Sequence, residues 1–267
     1  MRRAARYFTA AFLGALFLLP LFFMVAGSLR IPGLPPPDGF EWLPEQLRWS
    51  NYRSVFGIVP MWTYMRNSLV VVAVTVPVTV LLASWAGFVI ATARPRTQRR
   101  LIVLSVAALM VPLSALWVPR FVMFRWLGLV DTLWPLIAPA LMATTPFYVL
   151  LFALVYARVP GNLYEAARLD GLSPLGVWWR VAWPLGRPAT FAVAILAFVF
   201  HWSNFVDPLL YLSDTDLFTL PLGLRALQSL EPSNHSILLA GSVIVTLPAV
   251  VAFIAAQQAF FTKTLRV

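Results

Sequence analysis

Chemistry in a folded chain needs polar groups held close together, and this 267-residue sequence offers few of them. It has no cysteine, which removes disulfides, thiolate metal ligands and a Cys nucleophile. No H-E-x-x-H, no G-x-S-x-G and no pair of acids suggests metal-assisted, acyl-transfer or general-acid chemistry. A phosphate-cradling G-x-x-x-x-G-K-[ST] loop is also missing, since the single lysine, Lys263, follows Thr262. His201 and Asp207 lie in "FVFHWSNFVDPLLYL", where a lone histidine reads as a packing residue and Asp207 as a group near the outer interface. The one dense polar stretch is "YEAARLDGLSPLGVWWRVAWPLGRPA", residues 164–189, with two acids and three arginines. That is the chemistry of a docking surface: ion pairing offered by a preformed element.

The local pattern of that stretch predicts two short helices with a sharp bend. Asn162 and Glu165 have capping-box spacing, and Ala166, Ala167, Arg168 and Leu169 are good helix formers. Gly171 stands where a left-handed residue ends a helix. Ser173 can cap a second helix with Pro174 at its first position, where a missing N–H costs nothing. Leu175, Trp178, Trp179 and Ala182 recur at helical spacing, and Pro184 is expected to stop that helix.

The elements that must hold this hairpin are apolar. The chain is 60% hydrophobic and 11% charged, against about 25% charged in soluble domains. About 20 apolar residues cross a bilayer, and six candidate spans follow: 7–29, 67–92, 101–119, 133–157, 189–212 and 237–261. The fourth has an irregular, proline-rich entry, so a short surface helix is expected first, with the span proper starting near Thr144. The first span is too long for a cleaved signal peptide and lacks a small-x-small site after it.

Arginine placement orients the spans. Both termini and the loops around 94–100 and 158–187 carry thirteen cations, and the alternate side carries seven among eight acids. The positive-inside rule puts both termini and the charged hairpin in the cytoplasm. The net charge of +10 therefore reflects flanks of spans, and no nucleic-acid partner is expected. Segment 30–66, rich in proline, carries Trp42, Trp49 and Trp62, which read as interface anchors. The expected organisation is a first span plus extracytoplasmic segment over 1–66, a core over 67–261 and a short cytoplasmic tail over 262–267.

The order of "RNSLVV", "EAARLDG", "WWRVAWPLGRPA" and "TLPLGL" resembles the permeases of binding-protein-dependent ATP-binding-cassette importers. Within them it is similar to the second permease of the carbohydrate-uptake, maltose-transporter type, from about Asn51 to about Phe261. The resemblance implies an all-α polytopic fold of six transmembrane helices, the type I importer permease fold, in a bacterial or archaeal inner membrane. It implies that the hairpin is the coupling loop, with Glu165, Ala166, Ala167, Asp170, Gly171 and Pro184 docking on an ATPase. It further implies a second permease, two ATPases that bind the ATP and magnesium, and an extracytoplasmic solute-binding protein. In "HWSNF", Ser203 and Asn204 replace the family's Asn and acid, and Trp202, Asn204 and Phe205 fall near the implied translocation path. Asn67 and Ser68, at the start of the second span, can bond across helices. Two departures stand out: Trp183-Pro184 replaces the family's Leu-Pro, and "FFTKTLRV" replaces a longer Gly-rich tail.

Three rivals follow from the same residues. A membrane-embedded enzyme lacks an acid–base constellation to work with. A stand-alone channel or secondary transporter has no use for a docking hairpin. A permease for glycerol phosphate or an oligopeptide would share the architecture.

Overall fold

The computed structural model describes residues 2–35, 39, 41–141 and 145–264, and they are helical throughout, without a strand. The helices are α1 (Arg2–Ser28), α2 (Ser50–Ile58), α3 (Met61–Thr92), α4 (Pro95–Leu109), α5 (Leu113–Trp126), α6 (Trp134–Leu141) and α7 (Pro146–Tyr156). There follow α8 (Gly161–Leu169), α9 (Pro174–Val177), a π turn (Trp178–Ala182), α10 (Trp183–Leu185), α11 (Arg187–Trp202), α12 (Val206–Tyr211), α13 (Leu220–Leu230) and α14 (His235–Thr264). Helices dominate because a backbone in hydrocarbon must satisfy its own N–H and C=O groups.

Four stretches are long and apolar enough to cross a membrane: Arg6–Ser28, Met61–Thr92, Trp134–Tyr156 and His235–Gln258. Two further pairs qualify only together and are sharply bent: α4 with α5 at 86°, and Pro174–Leu185 with α11 at 83°. The expected third span, 101–119, is therefore not straight. Pro112 lacks an N–H and pushes Val111 out of helical geometry, so α4 ends at Leu109 and α5 starts anew with Pro112 as its N-cap. The expected fifth span, 189–212, also divides. α11 stops at Trp202, where Ser203 donates its hydroxyl back to the Val199 carbonyl (2.6 Å), and α12 is a separate short helix. The short surface helix expected before the fourth span is α6; the expected start of that span at Thr144 lies outside the described residues. The last helix begins before Ile237 and runs past Phe261 to Thr264.

The chain divides into two compact units. One comprises 1–65 and 218–251. In it, Asn51 is fully buried and its Nδ2 donates to the carbonyls of Ser28 (2.8 Å) and Arg30 (2.7 Å), closing the C-terminus of α1. Arg30 pairs with Glu41 at 3.0 Å, and Trp42, Trp49 and Trp62 are exposed as interface anchors would be.

The other unit comprises 66–217 and 252–267. Its core is one contiguous apolar cluster drawn from α3 (Val80, Ala83, Phe88), α7 (Phe152, Tyr156), α8 (Tyr164, Ala167), the π turn (Trp178, Ala182) and α11 (Val193, Ala197). The polar hairpin is thus built into the same core as the spans that flank it.

Candidate functional site

The hairpin begins earlier than its sequence suggests. Pro160, at φ −55° and ψ 129°, is the N-cap of α8, and no side chain caps it. Its carbonyl accepts from Leu163 N at 3.1 Å. A capping side chain must come from an extended residue, and Asn162 is already helical, so the expected Asn162–Glu165 capping box does not form. Glu165 is left exposed with its carboxylate available on the surface.

The bend follows the expectation. Gly171 has φ +82°, Gly171 N donates to Arg168 O (3.0 Å) and Leu172 N donates to Ala167 O (3.1 Å). These are the two bonds of a Schellman motif, which needs a left-handed residue that glycine adopts without strain. Ser173 Oγ then accepts from Gly176 N at 3.2 Å and caps α9, with Pro174 at the first helical position.

Beyond α9 the helix widens. Trp183 N donates to Trp178 O, an i to i−5 bond, and the π turn carries the helix through Pro184 to Leu185 instead of stopping there. A wider turn relieves the clash between a proline ring and the carbonyl four residues back. It also changes which side chains face inward. Val177, Trp178 and Ala182 are buried, whereas Leu175 and Trp179 of the expected apolar stripe are exposed. The stop comes at Gly186, packed so closely on Tyr156 that an added Cβ would lie 2.6 Å from its Cε1.

A buried polar knot ties this hairpin to two spans. Trp178 Nε1 donates to Ser84 Oγ of α3 (3.0 Å), and Ser84 Oγ shares a 2.6 Å hydrogen bond with Tyr156 Oη of α7. Tyr164 of α8 donates to the Tyr156 carbonyl (3.2 Å) and meets Phe88 edge to face. Burial pushes the Tyr164 phenol up to about 12, with neighbouring Tyr156 adding to the effect, so it is a permanent donor at any physiological pH. The edge-to-face pair of Trp85 and Trp178 adds ring packing beside the knot. A residue pattern could flag Trp178, but nothing in the sequence marks Ser84 or Tyr156 as its partners.

α8 therefore has two faces. Tyr164 and Ala167 are buried in the core, while Glu165, Ala166, Asp170 and an 89% exposed Leu169 point away from it. Gly171 is exposed at the bend and Pro184 is half-buried in the continuing helix. An exposed leucine ringed by charged and small residues is a docking face, and nothing about it is catalytic.

The residues expected on a path occupy the opposite end of α11, which spans about 24 Å at 1.5 Å per residue. Trp202 is buried and stacked on Phe198 (5.4 Å, 12°). Asn204 is half-buried; its Nδ2 donates to Asp207 Oδ2 (2.9 Å) and its Oδ1 accepts from Asp207 N (3.3 Å), opening α12. Phe205 is half-buried beside it. Asn67 is buried and donates to the Asp216 carbonyl at 2.8 Å. The loops here are clamped by Asp131, at φ +63°, whose Oδ1 accepts from Ser213 N and Asp214 N, both at 2.9 Å. Those two amides hold its carboxyl below the ordinary value of 3.8. No cluster of metal-ligating side chains occurs among the described residues.

Comparisons with known proteins complete the picture. The family model for the binding-protein-dependent transport system inner membrane component matches residues 79–264. The chain is 32% identical to the arabinooligosaccharides transport system permease protein AraQ of Halalkalibacterium halodurans, over 94% of this chain and 90% of that protein. It is 31% identical to AraQ of Bacillus subtilis, over 94% and 89% respectively. It superposes with a TM-score of 0.76, at 20% identity and over 97% of both chains, on a chain from the crystal structure of a bacterial ABC transporter involved in the import of the acidic polysaccharide alginate. The fold is shared with that importer.

Proposed function

The chain belongs to the binding-protein-dependent transport system inner membrane component family, and from that premise we propose that it lines one half of the path of an importer for a neutral oligosaccharide or a similar solute. It is a multi-pass membrane subunit and not an enzyme; the hydrolysis of ATP, with its magnesium, resides in separate ATPase subunits. A second permease, two such ATPases and a solute-binding protein complete the importer. The carbohydrate assignment is supported by the AraQ relatives, which are named for arabinooligosaccharides.

The observation that carries the coupling role is the split surface of α8. Its inner face is sewn into the core through Tyr164 and Ala167, and its outer face offers Glu165, Ala166, Leu169 and Asp170. A helix fixed on one side and open on the other transmits a push. ATP-driven closure of the ATPases would move α8, and Trp178, Ser84 and Tyr156 would pass that motion directly to α3 and α7. Gly171 sets the angle of α8, and Pro184 lies in the helix that returns to α11. This arrangement supports alternating access, with the path open outward when the ATPases close on ATP and inward when they part.

The thirteen-to-seven distribution of cations supports a cytoplasmic hairpin and cytoplasmic termini. The transport core is taken as 67–261, with 262–267 as its tail and 1–66 as the first span and outer segment. Of the four path residues, Asn204 and Phe205 keep open surface toward the path, while buried Trp202 and Asn67 support it from behind.

The test is co-purification of the ATPases with the full complex carrying Gly171→Val or Glu165→Lys, alongside uptake in proteoliposomes. Both variants insert normally, lose ATPase retention and lose uptake. Wild-type retention and uptake in both would reduce the hairpin to a connector.

A further inference from the structure

Among the described residues of the membrane core, one polar cluster is left with unused hydrogen-bonding capacity, and it lies at the end of α11 remote from the hairpin. Arg120 of α5 sits beside Asp207 of α12, Nη1 to Oδ1, at 3.8 Å. That is within ion-pair reach and too long for a hydrogen bond. The other oxygen of Asp207 is already held by Asn204. Arg120 Nη2 and Tyr211 Oη are both buried, and neither has a hydrogen-bond partner among the described residues. The Arg120 guanidinium carbon lies 6.0 Å from the centre of the Tyr211 ring, so both unmatched groups belong to one site. Phe121 stacks on that ring (6.4 Å, 11°) and Phe124 meets it edge-on (5.4 Å, 84°), which makes the wall rigid.

Three physical points limit what this cluster is for. Buried donors without partners are rare in native structures and call for an explanation. A charged pair with an open edge is costly against lipid, and such pairs in membrane proteins face a water-filled path or a protein neighbour. Arg120 and Asp207 do keep an open edge, with 21% and 15% of their side-chain surface accessible. Finally, the pair is neutral overall, and the adjoining loops add the acids Asp131, Asp214 and Asp216. An anionic solute is repelled there, while a pair of neighbouring hydroxyls is matched: one donates to Asp207 Oδ1 and the next accepts from Arg120 Nη2 or from the Tyr211 hydroxyl.

We propose that Arg120, Asp207 and Tyr211 form a solute-contact site for a neutral polyhydroxyl molecule, a sugar ring, at the outer part of the path. This rests on the carbohydrate reading above and deepens it by naming the residues and the charge class of the solute. Tyr211 supplies a hydroxyl that the resting structure does not use, and Arg120 supplies an N–H that Asp207 does not reach.

The experiment is uptake by proteoliposomes holding the full complex and its binding protein, with arabinotriose, lactose and an alginate trimer as probes. Wild type is compared with Tyr211→Phe and Arg120→Gln. Basal ATP hydrolysis and thermal stability are measured on the same samples. The expected result is that wild type takes up a neutral probe. Each variant then loses about ten-fold in uptake, the worth of one lost hydrogen bond to a buried site. Tyr211→Phe keeps wild-type stability and basal hydrolysis, because the missing hydroxyl had no partner. Uptake of a neutral probe at wild-type rate by both variants overturns the site while leaving the carbohydrate reading intact. Uptake of the alginate trimer alone overturns the neutral-sugar assignment. Failure of wild type to take up any of the probes overturns the carbohydrate reading and this site with it.

Discussion

At one end of α11, Trp178, Ser84 and Tyr156 use their polar atoms on one another inside an apolar core. At the other end, Arg120 and Tyr211 each keep a buried polar atom without a partner among the described residues. Both clusters combine aromatic rings with a few hydrogen-bonding groups, yet their bookkeeping is opposite. A saturated cluster resists deformation, because any shift strands a buried donor or acceptor. An unsaturated cluster holds capacity in reserve for a visitor. The comparison separates the part of the molecule that transmits force from the part that meets solute, without reference to any relative.

The comparison breaks most visibly at Trp178. Trp178→Ala removes a buried ring and strands Ser84, and about 3–5 kcal/mol of stability is expected to go. Thermal unfolding of the complex should fall sharply and uptake should vanish; wild-type unfolding would mean that the knot carries no load. Gly186→Val comes next. Its Cβ would meet Tyr156 at 2.6 Å, forcing the ring out of the knot or opening the 83° bend. Here the expected loss is coupling: ATP hydrolysis continues while uptake falls, and a variant that transports normally would refute the close-packing argument.

The sharpest contrast uses one substitution at both ends. Tyr156→Phe deletes a bond that Ser84 needs, at a cost of about 1 kcal/mol. Tyr211→Phe deletes a hydroxyl that nothing holds, and a stability change within about 0.5 kcal/mol is expected. Equal losses at the two sites, measured by thermal or denaturant unfolding in the same detergent, would erase the distinction drawn between them. The smallest effect concerns Asp131. Its carboxyl titrates below the ordinary 3.8, so the clamp on Ser213 and Asp214 is fully present above that value and is lost only as pH falls through the lowered one. Hydrogen exchange at the Ser213 and Asp214 amides should therefore show constant protection, corrected for intrinsic rate, from pH 8 to 5. A drop in protection within that window would contradict the assignment.

Much of this was readable from the chain, and the exceptions have physical causes. Gly171 and Ser173 were legible because a left-handed bend and an N-cap depend on local residue types. The apolar spans were legible from length and composition, although Pro112 broke the third in its interior. The Asn162–Glu165 capping box failed because Pro160 started the helix two residues earlier, and spacing alone does not choose between two competing starts. The apolar stripe through Leu175 and Trp179 failed because it assumed 3.6 residues per turn across a segment that widens. Ser84, Tyr156 and Arg120 were invisible for a different reason. Their roles come from pairings across 72, 94 and 87 positions in the chain, which no local pattern encodes.

The π turn at Trp178–Ala182 has a consequence for how this segment can change over time. A π turn holds one residue more than a regular helix would at that place. Deleting any single residue from it restores even winding, and everything downstream then rotates by about 100°. Val193 and Ala197, now inward, would turn toward the surface along with the rest of α11. The length of this stretch is therefore tied to the phase of the span that follows. Substitutions can be absorbed here one at a time, but an insertion or deletion must be matched by a second one before Trp202, or the span no longer fits its neighbours.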